Sequence, residues 1–281
     1  MLAIVGAGDI AGALAQRVAS RERFREVRLI DEAGTVAAGK ALDIRQAGPV
    51  DRYDTRVTGH NALDAATGAS VVAIADRFGG TEWEGDAGLA MLAKLLPLIG
   101  DAPIVFAGAR QIWLMEAARS ELKTPVDRMA GSASIALEAA LRALAAIAID
   151  AAVSDVSLRA YGRPPGRIVI GWEAAVSAGA PLQDVLPAHL RLAISDRAKG
   201  LWPPGPTALG SAGARVAEAF AHGSRRRLTC LVIGDGTAAP RGVAASVPVD
   251  IASGRVVKAI RPVLSSREQV EFDNALSSNG S

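Results

Sequence analysis

The run Leu2-Ala3-Ile4-Val5, followed at once by Gly6-Ala7-Gly8-Asp9-Ile10-Ala11, constrains this chain more than any other feature. A short, wholly apolar strand that enters a glycine turn and opens a helix is the first unit of a parallel sheet buried on both faces. The first glycine permits the tight turn, the second lets the backbone approach a diphosphate at the helix N-terminus, and Ala11 takes the third small position. The next strand, 27–31, ends in Asp31, at the spacing of an acid that hydrogen-bonds an adenosine ribose. Such an acid repels a 2′-phosphate, so the pattern favours NAD over NADP, with Gly6, Gly8, Asp9, Ile10, Asp31 and Ala75 as the cofactor-binding positions. Two acids oppose this reading. The fourth strand ends Ala75-Asp76-Arg77, which puts a carboxylate at the mouth of the site, and Asp9 adds another; like charges weaken diphosphate binding. A nucleotide-binding fold with an empty site is the alternative.

Further strands are expected at 55–58, 71–75 and 104–107, with helices at 9–21, 36–46, 89–98 and 113–122 between them. This alternation predicts an α/β fold with a doubly wound parallel sheet of Rossmann type over residues 1–131. From 132 to 281 the pattern changes to α+β. An Ala-rich helix at 134–149 leads to strands at 156–161 and 168–172, then helices at 189–200 and 207–221. Three closely spaced strands (228–233, 244–249 and 256–260) predict an antiparallel sheet, and a last helix at 267–276 runs into a frayed polar tail, Ser278-Asn279-Gly280-Ser281.

The 31 basic and 29 acidic residues nearly cancel, giving a net charge of +2, and so no electrostatic case for nucleic acid or a membrane surface. Arg225-Arg226-Arg227 reads as a solvated strand entrance rather than a phosphate site. A lone Cys230 in an apolar strand reads as a buried hydrophobe and rules out a disulfide framework. Met1 leads straight into a strand with no signal peptide, and no apolar run spans a bilayer, so a cytoplasmic location is expected.

Several motifs together resemble the lactate/malate dehydrogenase family from end to end. They are Gly39-Lys40-Ala41-Leu42-Asp43-Ile44 with Gly48-Pro49-Val50, Arg56-Val57-Thr58-Gly59, and Pro125 through Arg128 to Gly131. The second half adds Asp155-Val156, Gly210-Ser211-Ala212, Val247-Pro248-Val249 and Glu268…Phe272-Asp273. The resemblance implies an NAD-dependent 2-hydroxy acid dehydrogenase whose second half is the family's C-terminal domain, assembled as a homo-oligomer. A homodimer is the expected form, and the apolar helix at 134–149 suits an interface.

The chemistry that the resemblance implies needs a His to take the hydroxyl proton, an Asp to orient it, an Arg to grip the substrate carboxylate and an Asn beyond the fifth strand. In this chain Pro164 stands at the His position, Leu137 at the Asp, Ala140 at the Arg and Ala109 at the Asn. Only Arg142 of the family's paired arginines remains. The loop that should be rich in Arg reads Arg77-Phe78-Gly79-Gly80-Thr81-Glu82-Trp83-Glu84. No catalytic or metal-ligating set is therefore expected. His60, His189 and His222 read as surface or helix-end groups, and Glu138 as turned about 100° from the lost Asp. Arg110, Arg163 and Ser211 form a candidate anion pocket. The main reading is a family member without dehydrogenase activity that keeps the fold, is compatible with retained NAD binding, and acts through binding, regulation or assembly. The alternative is an NAD-dependent oxidoreductase acting on a 2-oxo or 2-hydroxy acid through a rebuilt pocket.

Overall fold

The computed structural model describes residues 1–277, so the polar tail expected to fray lies outside the described residues. The first half contains β1 (Leu2–Val5), α1 (Asp9–Ala19), β2 (Glu26–Ile30), α2 (Gly34–Asp51), β3 (Arg56–His60), β4 (Val71–Ile74), α3 (Gly85–Ile99), β5 (Ile104–Phe106), α4 (Ile112–Ser120) and β6 (Met129–Gly131). These strands are parallel in the order β3-β2-β1-β4-β5-β6. Strand order reverses between β1 and β4, the place where such sheets open a ligand crevice at their carboxyl ends. Every residue of β1, β4 and β5 is buried, which is why these strands read as unbroken apolar runs.

The second half continues with α5 (Ala133–Ala148), β7 (Val156–Ser157), β8 (Ala160–Arg163), β9 (Arg167–Ile170), β10 (Val176–Ser177), β11 (Ala180–Pro181), α6 (Leu182–Val185), α7 (Ala188–Arg197), α8 (Pro206–His222), β12 (Leu228–Ile233), β13 (Ala244–Ala252), β14 (Arg255–Ala259) and α9 (Ser266–Ser277). The antiparallel strands are not a separate sheet. Leu231 of β12 pairs with Gly131 of β6, so one sheet runs on through β12 to β13, β8 and β9, with β14 on β13.

Two expectations differ. The strand expected at 156–161 is split, because β7 pairs with β10 while the Ala160 N–H leaves the ladder for the Glu138 carboxylate. Helix α2 runs past Gly48-Pro49 to Asp51, and Arg52, in the left-handed conformation, closes it by donating its N–H to the Gly48 carbonyl. The elements β10, β11 and α6 were not expected; they are too short to give a periodicity.

The two halves are locked by α8 against α1. Along α1, Ile10, Leu14 and Val18 recur every four residues and form one buried face. Gly210 meets it closely: a Cβ built there would lie 2.6 Å from both the Ala13 Cβ and the Leu14 nitrogen. At the far end Arg21 reaches both Glu218 oxygens at 3.1 Å. Gly210→Ala should force the helices apart and cost about 1–3 kcal/mol, read as a lower urea midpoint at unchanged m. An unshifted midpoint would show that the helix contact is looser than described.

Candidate functional site

The crevice at the carboxyl ends of β1 and β4 is built around the N-terminus of α1, whose first backbone N–H groups have no partner inside the helix. Gly8 is the cap and contributes no side chain. The partner is Asp76, at the end of β4: its Oδ2 accepts the Ile10 N–H at 3.1 Å and its Oδ1 the Ala11 N–H at 2.9 Å. Gly8 is what makes room, since a Cβ there would lie 2.3 Å from the Asp76 carboxylate. The glycine turn thus cradles an anion at a helix N-terminus, as its sequence requires, but the anion belongs to the chain itself. Lys40 adds to the closure by donating to the Gly8 carbonyl at 2.6 Å, with Asp9 at 3.5 Å.

Asp31 is equally engaged. It is buried, its Oδ2 accepts the N–H groups of Ala7 (2.8 Å) and Phe78 (3.0 Å), and its Oδ1 accepts that of Ala33 (2.9 Å). The bond from Phe78 ties the loop after β4 to the end of β2. Glu82 ties the same loop to the end of β5. Its two oxygens accept the Ala109 N–H at 2.9 Å and the Arg110 N–H at 2.7 Å. Burial pushes the Glu82 carboxyl above its ordinary range, against the pull of those two backbone bonds. Arg77 stacks 4.8 Å over the Trp83 ring, and the backbones of Asp76 and Glu82 form an isolated antiparallel bridge across the loop.

Three carboxylates therefore hold a short loop down over the switch point. The residues do not fit a dinucleotide as they stand: the amides for its diphosphate carry Asp76, the acid for its ribose carries three backbone bonds, and Ile10 and Ala75 are buried beneath them. The cavity that remains, lined by Asp31, Arg77, Trp83, Met91 and Lys94, measures about 240 Å³, below the ~300 Å³ where ligand pockets begin.

The four positions that the resemblance assigns to catalysis offer no acid–base group. Pro164 is buried in the turn after β8 and Ala109 is buried beyond β5. Leu137 packs among Leu141, Ala160 and Ile194 in an apolar cluster. Ala140 is half-buried on α5. Of the histidines, His60 ends β3 beside Thr58, His189 is exposed on α7, and His222 ends α8 and contacts the Arg23 carbonyl.

The structure does not gather the candidate anion pocket. Arg163 is held by Glu116 of α4 through both guanidinium nitrogens, at 2.5 and 3.0 Å, and Glu116 also accepts the Ala244 N–H. Arg110 is exposed and contributes its backbone N–H to Glu82. Ser211 lines a different groove, between α5 and α8, that neither arginine lines. Arg226 and Arg227, read from sequence as a solvated strand entrance, line that groove too.

Beneath the groove lies Glu138, which sequence reasoning set aside. Its Oε1 accepts the Ala160 N–H at 3.1 Å, and Thr229 hydrogen-bonds its carboxyl. Burial pushes its pKa up to about 7, while Thr229, Arg159, the Ala160 N–H and Arg142 pull the other way.

A doubly wound sheet with a glycine turn at its switch point and an antiparallel extension defines a dehydrogenase-type α/β protein. The chain is 27% identical to a malate dehydrogenase of Roseobacter denitrificans, over 98% of this chain and 93% of the relative. In fold it matches a malate dehydrogenase structure from Salinibacter ruber (TM-score 0.82, 22% identity, 98% and 93% covered). It also matches a minor L-lactate dehydrogenase of Enterococcus mundtii (TM-score 0.85, 17% identity, 98% and 95% covered). No protein-family model matches the chain. Along nearly its whole length the chain is thus similar in sequence to malate dehydrogenases and in fold to malate and lactate dehydrogenases.

Glu138 gives this region a pH signature. A carboxyl whose pKa rises on folding, from 4.5 to about 7, destabilises the fold as pH climbs through that window. The loss reaches on the order of 3 kcal/mol by pH 8. Glu138→Gln keeps an acceptor for Ala160 without the charge, so it should gain on the wild type between pH 5 and pH 8 in urea unfolding. An equal wild-type-to-variant difference at both pH values would contradict this.

Proposed function

We propose that this chain has lost the 2-hydroxy acid dehydrogenase chemistry of its family, no longer holds NAD, and acts by binding or assembly. The observation that carries this reading is the Asp76 carboxylate on the Ile10 and Ala11 amides. A diphosphate seated there would face that carboxylate. Two charges about 4 Å apart repel by about 4 kcal/mol at an effective dielectric of ~20, roughly a thousandfold in affinity. The catalytic positions support the same reading: neither Pro164, Leu137, Ala140 nor Ala109 can accept a proton or grip a carboxylate.

The division of the chain into a nucleotide-type half over 1–131 and an α+β half over 132–281 belongs to this proposal. So does assembly as a homodimer in the cytoplasm. The exposed Leu42 and Val50 on α2 and Ile147 on α5 favour burial against a second copy. Among the described residues no helix is long and apolar enough to cross a membrane, and no cluster of His, Cys, Asp and Glu could hold a metal ion.

A second reading, an oxidoreductase with a rebuilt pocket, draws on the near full-length likeness to a protein named malate dehydrogenase. The two are separated by assaying purified protein with NADH and oxaloacetate or pyruvate, alongside NADH fluorescence titration. We expect no turnover near the ~1 s⁻¹ of even slow enzymes and no saturable NADH binding. Asp76→Ala, which frees the α1 amides, should bind NADH more tightly than the wild type. Saturable binding by the wild type, with turnover that Arg163→Ala abolishes, would establish the second reading instead.

A further inference from the structure

Glu138 connects three elements of the second half. Its Oε1 accepts the Ala160 N–H of β8 at 3.1 Å, and the Thr229 hydroxyl of β12 bonds the same carboxyl. That hydroxyl has one proton to give, and it accepts a further bond, at 3.2 Å, from the Arg159 guanidinium. Arg159 rests its other terminal nitrogen on the Arg227 carbonyl at 3.3 Å. A chain of contacts thus runs from a buried carboxyl on α5, through one hydroxyl, to a half-buried cation. The carboxyl also borders a groove of about 840 Å³ lined by Arg21, Arg142, Arg159, Arg215, Arg226 and Arg227, and among the described residues it is the one carboxylate in that lining.

The groups that face Glu138 are few. Among the described residues, the only charges that reach it are those of Arg159 and Arg142. Arg142, one turn along α5, places its Nε on the Glu138 main-chain carbonyl at 3.3 Å. Tyr161 of β8 and Cys230 of β12 are coupled to it, and burial pushes both up, the phenol to about 12, so both stay protonated at neutral pH. Helix α7 meets α5 through Ile194, in the apolar cluster of Leu137 and Leu141. No histidine lines the groove. An ionised carboxylate accepts up to about four hydrogen bonds, and here two donors are in place. A buried charge left short of donors draws the nearest cation. Arg159 is one hydroxyl away, gives up only bonds to neutral acceptors, and has the groove to move in. We propose that Glu138 and Arg159 form a proton-operated switch. With Glu138 protonated, Arg159 rests on Thr229 and the Arg227 carbonyl; with Glu138 ionised, it swings past Thr229 to pair with the carboxylate. The swing frees the Arg227 carbonyl at the entry to β12 and leaves the groove less cationic by one charge. The switch is separate from the crevice at β1 and β4, so it does not depend on whether NAD binds.

The test is NMR titration of the full chain from about pH 4 to about pH 9, following the Glu138 carboxyl carbon in glutamate-labelled protein and the Nε signal of Arg159. Each signal is assigned by its loss in Glu138→Gln and in Arg159→Gln. Glu138 should titrate at about pH 7, and the Arg159 signal should shift with the same midpoint. Glu138→Gln keeps an acceptor for Ala160 and Thr229 without the charge, so it should fold normally and leave the Arg159 signal flat across the range. In Arg159→Gln the Glu138 midpoint should rise by about one unit, because a nearby cation is gone. Arg142→Gln should leave the Arg159 shift in place. A Glu138 midpoint in the ordinary carboxyl range would overturn the proposal, as would one that Arg159→Gln does not move. An Arg159 signal that follows pH in Glu138→Gln as it does in the wild type would overturn it too, since the cause would then lie elsewhere in the fold.

Discussion

The bond between a carboxylate and backbone N–H groups organises the carboxyl end of this sheet. An α-helix that starts at a glycine turn has no side chain to satisfy its first amides, and the peptide dipoles concentrate positive potential there. Some anion must answer that demand. In a protein that binds a dinucleotide the diphosphate does so; here Asp76 does, and it is covalently attached to the strand beside the turn. An attached group acts at a high effective concentration, so a free ligand must displace it rather than fill an empty place. Asp31 and Glu82 repeat the device at the ends of β2 and β5, and the loop between them is held at both ends by acids bonded to amides. Each such bond is charge-assisted and at least partly buried, which makes it stronger than a neutral one and costly to leave unmade.

This closure and the lack of acid–base groups at Pro164, Leu137, Ala140 and Ala109 support the same proposal, a chain without the dehydrogenase chemistry. A dehydrogenase must keep a polar, hydrated pocket open between the nicotinamide position and the second half. With Leu137 in place of an acid, the same stretch of α5 can join the apolar cluster around Leu141 and Ile194, where an unpaired carboxylate would be costly. Arg163 is paired to Glu116 through both terminal guanidinium nitrogens. The substitutions along the sequence read as separate losses. Under the proposed loss of dehydrogenase chemistry they form one change in three dimensions, from a site that admits ligands to a surface that satisfies itself.

The sequence disclosed most of the fold because its signals are local. The glycine turn, the buried strands β1, β4 and β5, and the Ala-rich α5 all announce themselves within a dozen residues. Asp76 was also legible as a carboxylate at the mouth of the site, though not the bonds it makes, because their geometry depends on how the loop after β4 folds back. Glu82 was noticed only as an acid in a stretch expected to be basic; its partners, Ala109 and Arg110, lie a full helix and strand away. The Arg163–Glu116 pair spans 47 positions, and no periodicity links its members. Glu138 looked idle because the reading placed it by helix angle alone, without β8 and β12 packed over it.

Net charge says nothing of how the charges are placed, for a related reason. A total of +2 argues against a strong field only if the charges are mixed, and here they are sorted. Acids gather at the switch point, where backbone amides consume them, while arginines from α1, α5, α8 and the approach to β12 gather in the groove, where few acids reach. Consuming carboxylates on amides removes them as partners for guanidinium groups, so the closed crevice and the cationic groove are two sides of one distribution. The field that a ligand meets depends on that local excess and on the low-dielectric walls around it, not on the sum over the chain.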